Sequence, residues 1–384
     1  MAIPRVLVIQ RVLPPYRLPF FCRLAASPRL SLTLAYGEAS PASALESVGF
    51  PFGLDVLKLG NRYCGAREIA VWQKGLLTLV SSRLYDVVIA EFNPRIITNV
   101  LGCLYAGHLS VPWIWWGHGV SPRSGALSIR LRVWLSQLAD ALIFYEATQR
   151  EKFVSWGLAP EKTFVANNSI DTEEIDRLVE VRPRHERYRI LYIGRLIPQK
   201  KVALLIHGFA HALSSLPPET KLTLVGNGTE QEALEHLVHE LDLGERVEFV
   251  GAIYQQTQLA PIFNSTWVSV SPGYIGLSAI HSLAYGVPLL VAKGEPHSPE
   301  QAALEEGTNS TFFPSGDATA LGKQLVLLAN DSVRWNAMTI AARQKIQSSF
   351  SLSAMVQTFE QAVQQVHGIS RTNLNQFVSD KSFS

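Results

Sequence analysis

Short apolar runs alternate along this chain with stretches whose apolar residues recur at helical spacing, and the alternation is clearest in the second half. Ile190–Ile193 reads as a buried strand, and Val202–Leu213 as the helix that follows it. The same step returns at strand Lys221–Val225 with helix Glu230–Leu241, and at strand Arg246–Phe249 with helix Leu259–Phe263. It returns once more at strand Trp267–Ser271 with helix Leu277–Tyr285, before a fifth strand at Pro288–Ala292. Strands alternating with helices in this way predict a parallel sheet covered on both faces.

The first half follows the same grammar with more interruptions. Strand Val6–Gln10 runs into a proline-rich loop, Arg11–Phe21, then a helix at Phe20–Ala26 and a strand at Ser31–Tyr36. A helix is expected over Ala66–Ser81, with Trp72 and Leu76 on its apolar side, followed by strands Tyr85–Ala90 and Val111–Trp116. Helix Leu127–Leu138, strand Ala141–Phe144, helix Arg150–Trp156 and strand Thr163–Ala166 complete the series. Near the end, Ser353–Val366 reads as a helix and Asn373–Ser384 as a polar, frayed tail.

At 384 residues the chain exceeds one ordinary core, so two domains are expected. The fold class is α/β, with two Rossmann-like domains enclosing a cleft. The first covers 1–175, a charged linker with Pro183 covers 176–188, and the second covers 189–350. A C-terminal helix at 351–368 and a tail at 369–384 follow. Apolar residues make up 47% and charged residues 17%, which excludes a disordered chain. The net charge of +2 hides an asymmetry, because the front half is basic and the remainder acidic. That balance is compatible with peripheral contact with an anionic membrane or a phosphorylated acceptor, and nothing in it calls for nucleic acid. Cys22, Cys64 and Cys103 fit no metal pattern, and a reducing cytoplasm is expected, with no cofactor and no metal.

Candidate chemistry sits where strands end. Gly194 and Arg195 close the strand at Ile190–Ile193, and Lys200 and Lys201 precede its helix. Cations beside a helix N-terminus suit a phosphorylated ligand, although the same residues also make an ordinary solvated loop. Gly226-Asn227-Gly228 and the run Ser271–Leu277 are two further glycine-containing turns after strands in the same domain. In the first half, His118 stands between Gly117 and Gly119 at a strand end, free to face a cleft.

These motifs carry a resemblance. GRLIPQKK at Gly194–Lys201, LVGNGTEQEAL at Leu224–Leu234, RVEFVG at Arg246–Gly251 and GLSAIHSLAYGVP at Gly276–Pro288 resemble the nucleotide-binding half of a GT-B glycosyltransferase of family 4. Glu300, the GTNSTFF stretch through Asp317, and FSL at Phe350–Leu352 match more weakly. LPPYRLPFF, WWGHG and FVANNSIDT in the first half are similar to polysaccharide-building members, so the likeness spans most of 5–368. It implies a nucleotide-sugar donor on the second domain, a saccharide or lipid-linked acceptor on the first, and transfer with retention and without a metal. Arg195 and Lys200 would neutralise the departing diphosphate. Gly194, Gly226, Asn227, Glu300 and the backbone N–H groups of Gly276, Leu277 and Ser278 would hold the donor. Gly251–Tyr254, Tyr254 included, would border the base, His118 would lie near the reacting sugar, and Arg11 or Arg17 would shape the acceptor side.

The family usually carries two glutamates eight positions apart, and here those positions are Gly273 and His281. His281 can bond a ribose hydroxyl or simply pack in its helix, while Gly273 offers only backbone. Lys201 replaces a usual glycine. Either Glu295, His297 or Glu300 rebuilds the lost contact, or catalysis is gone. The expectation is a transferase extending a surface polysaccharide or glycolipid, in the cytoplasm and at the inner membrane face. A non-catalytic nucleotide- or partner-binding protein and a nucleotide-sugar epimerase stay open.

Overall fold

The computed structural model describes residues 3–40, 47–49, 51, 53–65, 69–120 and 124–381, with side chains to Gly368. It divides into two compact units, 1–167 with 352–384, and 168–351.

The first unit runs β1 (Arg5–Val12), α1 (Leu18–Ala25), β2 (Ser31–Gly37), β3 (Val56–Cys64), β4 (Ala70–Lys74), α2 (Leu76–Ser81) and β5 (Val87–Glu91). It continues with α3 (Ile97–His108), β6 (Trp113–Gly117), α4 (Ala126–Leu138), β7 (Ala141–Phe144), α5 (Ala147–Ser155) and β8 (Thr163–Val165). Its sheet has the order β4-β3-β2-β1-β5-β6-β7-β8 and is parallel throughout except at β3 and β4. The strands β1, β5 and β6 are apolar on both sides because helices cover both faces.

The helix expected over 66–81 is not one element. Residues 66–68 lie outside the described residues, and Ala70–Lys74 is a strand with Val71 and Gln73 buried and Trp72 turned outward. Period two wins over period 3.6 in this stretch, and Gly75, at φ 96°, makes the turn into a helix of only Leu76–Ser81. Strand β3, with which β4 pairs, has no polar and apolar alternation along VLKLGNRYC, and no strand is expected there from the sequence.

The second unit runs α6 (Thr172–Leu178), β9 (Arg189–Ile193), α7 (Val202–Ala212), β10 (Lys221–Val225), α8 (Gln231–Glu240), β11 (Val247–Gly251) and α9 (Gln256–Asn264). Then come β12 (Thr266–Ser271), α10 (Ser278–Ala284), β13 (Leu289–Lys293), β14 (Ser310–Pro314), α11 (Ala318–Asn330) and α12 (Ser332–Ser349). Its six strands, ordered β11-β10-β9-β12-β13-β14, are all parallel. The fold class read from the sequence is therefore found, with β14 added to the five expected strands.

The stretch 176–188 lies inside the second unit. Ile175 is buried in its core, the Leu178 carbonyl accepts from Asn264 Nδ2 at 2.9 Å, and Arg187 is buried above the Trp335 ring. The last helix, α13 (Leu352–Lys381), belongs to the first unit and continues past the expected start of the tail. Phe359 anchors it, edge-on to Trp116 and to Phe20 at 4.9 Å in each case. The tail residues 382–384 lie outside the described residues.

Candidate functional site

In a parallel sheet, every loop that follows a strand leaves from one edge, so chemistry scattered along the sequence is gathered there. The second unit does this with glycine contacts between neighbouring loops. A Cβ on Gly226 would stand 1.8 Å from the Gly194 carbonyl oxygen, and one on Gly228 2.0 Å from that of Leu196. Only glycine permits this approach, and it lets Gly194 N–H donate to Val225 at 2.9 Å and Leu196 N–H to Asn227 at 2.9 Å. Gly226 N–H in turn donates to the Gly251 carbonyl at 2.8 Å. Gly194, Gly226, Asn227 and Gly251 are thus brought together, whereas Tyr254, 82% exposed, stands out into solvent.

The loop after β12 meets the loop after β9 as closely. A Cβ on Gly273 would lie 2.5 Å from the Gln199 carbonyl oxygen and 2.8 Å from the Lys200 carbonyl carbon. Tyr274 N–H donates to Gln199 at 2.9 Å, and Lys200 Nζ donates back to the Tyr274 carbonyl at 2.7 Å. The ammonium of Lys200 also lies 5.2 Å from the Tyr274 ring centre. A Cβ on Gly276 would sit 4.0 Å from both Lys200 Nζ and Ser298 Oγ. Lys200 is therefore set beside Gly276, which begins the run Gly276, Leu277 and Ser278 whose N–H groups make no hydrogen bond among the described residues. Burial, reinforced by the charge of Arg195 and opposed by Glu300, pushes the Lys200 ammonium down to about 8. The Arg195 side chain is exposed and has no ion-pair partner among the described residues.

The other candidates are occupied by the protein itself. Lys201 takes the left-handed conformation, φ 51° and ψ 41°, and is ion-paired with Glu295, while donating to Ser315 Oγ at 3.3 Å. Glu300 is buried, accepting from Asn168 Nδ2 at 2.7 Å and from Ser298 Oγ. Ile275 N–H donates to His297 Nδ1 at 3.2 Å, which leaves the ring proton on Nε2, directed at the Ala292 carbonyl 3.2 Å away. Burial holds that imidazole below its ordinary pKa. His281 Nε2 lies 3.0 Å from the Gln256 amide, its ring stacked on Phe263, and burial pushes it down to about 4. His281 is thus partly buried, uncharged and held between Gln256 and Phe263. Sequence reasoning assigns Asn168 and Gln256 no role, because their partners Glu300 and His281 lie 132 and 25 positions away, and Ser298, two positions from Glu300, stands in none of the motifs.

The first unit gathers its own polar cluster at the carboxyl ends of β1, β5, β6 and β7. Arg17 donates to Gln10 Oε1 at 2.7 Å, to the Tyr145 hydroxyl, and to the Tyr16 hydroxyl at 3.3 Å. Its guanidinium also lies 4.5 Å from the Trp116 ring centre. Burial works against this charge, but Tyr145, Tyr16 and Glu91 raise it above the usual guanidinium range. Arg11 is placed by its backbone, donating to Glu91 Oε1 at 2.7 Å and accepting from Asn61 Nδ2 at 2.7 Å. The His118 ring lies 4.5 Å from that of Tyr145. Gln10, Glu91 and Tyr145 form this cluster with Arg17, and of these Gln10 is the last residue of the first strand expected from the sequence.

Two units of this construction define the GT-B architecture, a pair of Rossmann-like domains. Residues 175–345 match the family described as glycosyl transferases group 1. The glycogen synthase of Mycobacterium tuberculosis is 27% identical over 244 residues, 59% of this chain and 55% of that protein. The chain thus spans about half the length of the curated relatives it matches. Among solved structures, HepE of Anabaena in complex with UDP superposes with a TM-score of 0.70 at 17% identity, covering 94% of this chain and 100% of that one. A glycosyltransferase of Rickettsia africae superposes with a TM-score of 0.72 at 10% identity, covering 95% and 99%. At such identities the likeness is one of fold.

Proposed function

We propose that this chain is a family 4 type glycosyltransferase, moving a hexosyl group from a nucleotide sugar to a saccharide or lipid-linked acceptor with retention of configuration. The observation that carries the reading is one sheet edge presenting the exposed Arg195, the ammonium of Lys200 and the uncommitted N–H groups of Gly276–Ser278. Charge that builds on a departing diphosphate is stabilised where fixed donors and cations already point, and this set does that without a metal ion. The group 1 match covers this region, and a neighbour of the same fold is a complex with UDP. His118 is the candidate beside the reacting sugar and Arg11 the acceptor-side one, while Arg17 acts on the acceptor side by holding Gln10 and Tyr145 in place. Work at the inner membrane face, in the cytoplasm, fits a lipid-linked acceptor. Among the described residues no helix is long and apolar enough to cross a membrane.

One observation favours a second reading, a nucleotide-binding protein without turnover. Gly273 leaves no room for a carboxylate, and Glu295, Glu300 and His297 are all engaged within the protein. In the transferase reading, backbone carbonyls must then contact the donor sugar.

Calorimetric titration with UDP and other nucleoside diphosphates tests the site. Saturable binding is expected, and Arg195→Ala weakens it by about thirtyfold, the size of a charge-assisted contact, without changing the melting temperature. No saturable binding by any nucleoside diphosphate overturns both readings. Binding without release of nucleoside diphosphate from any donor and acceptor extract assigns the second.

A further inference from the structure

Helices α3 and α4 of the first unit cover the same face of its sheet. Their inner sides enter one core through Cys103 and Ala106, and through Leu135 and Ile129. Their outer sides are apolar as well. On α4, Leu127, Leu131, Trp134 and Leu138 are 81%, 42%, 49% and 40% exposed, and their spacing of four, three and four places them on one stripe. On α3, Ile97, Leu101 and Leu104 are 39%, 39% and 44% exposed at the same spacing. Trp156, just past α5, joins Trp134 in a shallow groove that also holds Arg130. A surface helix that is apolar outward as well as inward has a partner.

Charge identifies the partner. Between Glu91 and Asp140 the chain has no acidic residue and four arginines, Arg95, Arg123, Arg130 and Arg132, of which Arg123 lies outside the described residues. The two bounding acids are tied down, Glu91 by the Arg11 N–H at 2.7 Å and Asp140 by the Trp113 N–H at 2.8 Å. Arg132 turns inward, donating to the Phe92 carbonyl at 3.2 Å, and Arg95 and Arg130 are exposed. A second copy docked by twofold symmetry would lay these two against their own counterparts, with no carboxylate on either helix to pair them. Aliphatic side chains flanked by tryptophans and arginines match a bilayer surface instead. Aliphatics enter the headgroup boundary, indoles sit at the interface, and guanidinium groups meet phosphates.

We infer that the α3–α4 face docks this chain on an anionic lipid bilayer. The inference gives the membrane part of the proposed function a location, and it is tested without nucleotide, so the two fail separately. Full-length chain is sedimented with phosphatidylcholine vesicles, with and without phosphatidylglycerol. Binding to the anionic vesicles is expected, with a steep fall as salt is raised. The double variant Leu131→Ser, Trp134→Ser loses at least tenfold in vesicle affinity, and Arg130→Gln loses about fivefold on anionic vesicles only. All three positions are exposed, and unchanged melting temperatures show that the variants fold. A wild-type chain left in the supernatant with anionic vesicles overturns the inference, as do variants that bind like wild type. A dimer in sedimentation velocity that the double variant dissolves also overturns it and assigns the face to a second copy.

Discussion

Both units place arginines where strands end, yet Arg17 and Arg195 live in opposite circumstances. Arg17 donates to Gln10, Tyr16 and Tyr145 and lies over Trp116, so its charge and its geometry are consumed by neighbours from the strand ends around it. Arg195 is exposed, and the protein supplies it with no anion among the described residues. Lys200 stands between the two cases, held by the Tyr274 carbonyl while its ammonium lies close to Gly276. The contrast separates a cation that builds a loop from one that the loop presents. Position at a strand end does not decide between them, and the partner list does.

The largest expected effect tests the building cation. Arg17→Ala leaves Gln10 Oε1 and the Tyr145 hydroxyl without their partner, and urea denaturation should show a loss of about 3 kcal/mol. UDP affinity stays within about twofold of wild type, and the reverse pattern would erase the contrast. Next in size is Gly273→Glu. The clash at 2.5 Å begins with Cβ, so Gly273→Ala and Gly273→Glu should both weaken UDP binding by more than about tenfold by displacing Lys200. A glutamate variant that gains activity where the alanine variant loses it would show that the loop opens to take a carboxylate. Smallest is the pH effect on the presenting cation. With the Lys200 ammonium lowered to about 8, its charged fraction falls as pH rises through 8. UDP binding should be about tenfold weaker at pH 9 than at pH 7, and Lys200→Arg should flatten that profile. The same shift means that the folded chain binds fewer protons than the unfolded one between about 8 and the ordinary lysine value. This group's contribution to stability therefore rises with pH across that window.

The βα grammar made most of the architecture legible, because buried parallel strands such as Ile190–Ile193 and Ala141–Phe144 are unbroken apolar runs. It failed where a strand is half exposed. Ala70–Lys74 looks helical beside Leu76–Ser81 until β3 pairs with it. It also failed where charge was taken for solvent exposure, since Arg187 in the expected linker is buried over Trp335. At the site, the glycines and cations could be found from the sequence. Their states could not, because these depend on partners far away: Lys201 on Glu295, Glu300 on Asn168, and Gly273 on Gln199.

The interlocked glycines at Gly226 and Gly228 have a consequence for association. Each turn they join is already clamped to the next by backbone contact, so an arriving ligand meets a surface whose shape is set in advance. The ordering cost of binding then falls on the flexible ligand and on the exposed Arg195, not on the peptide framework.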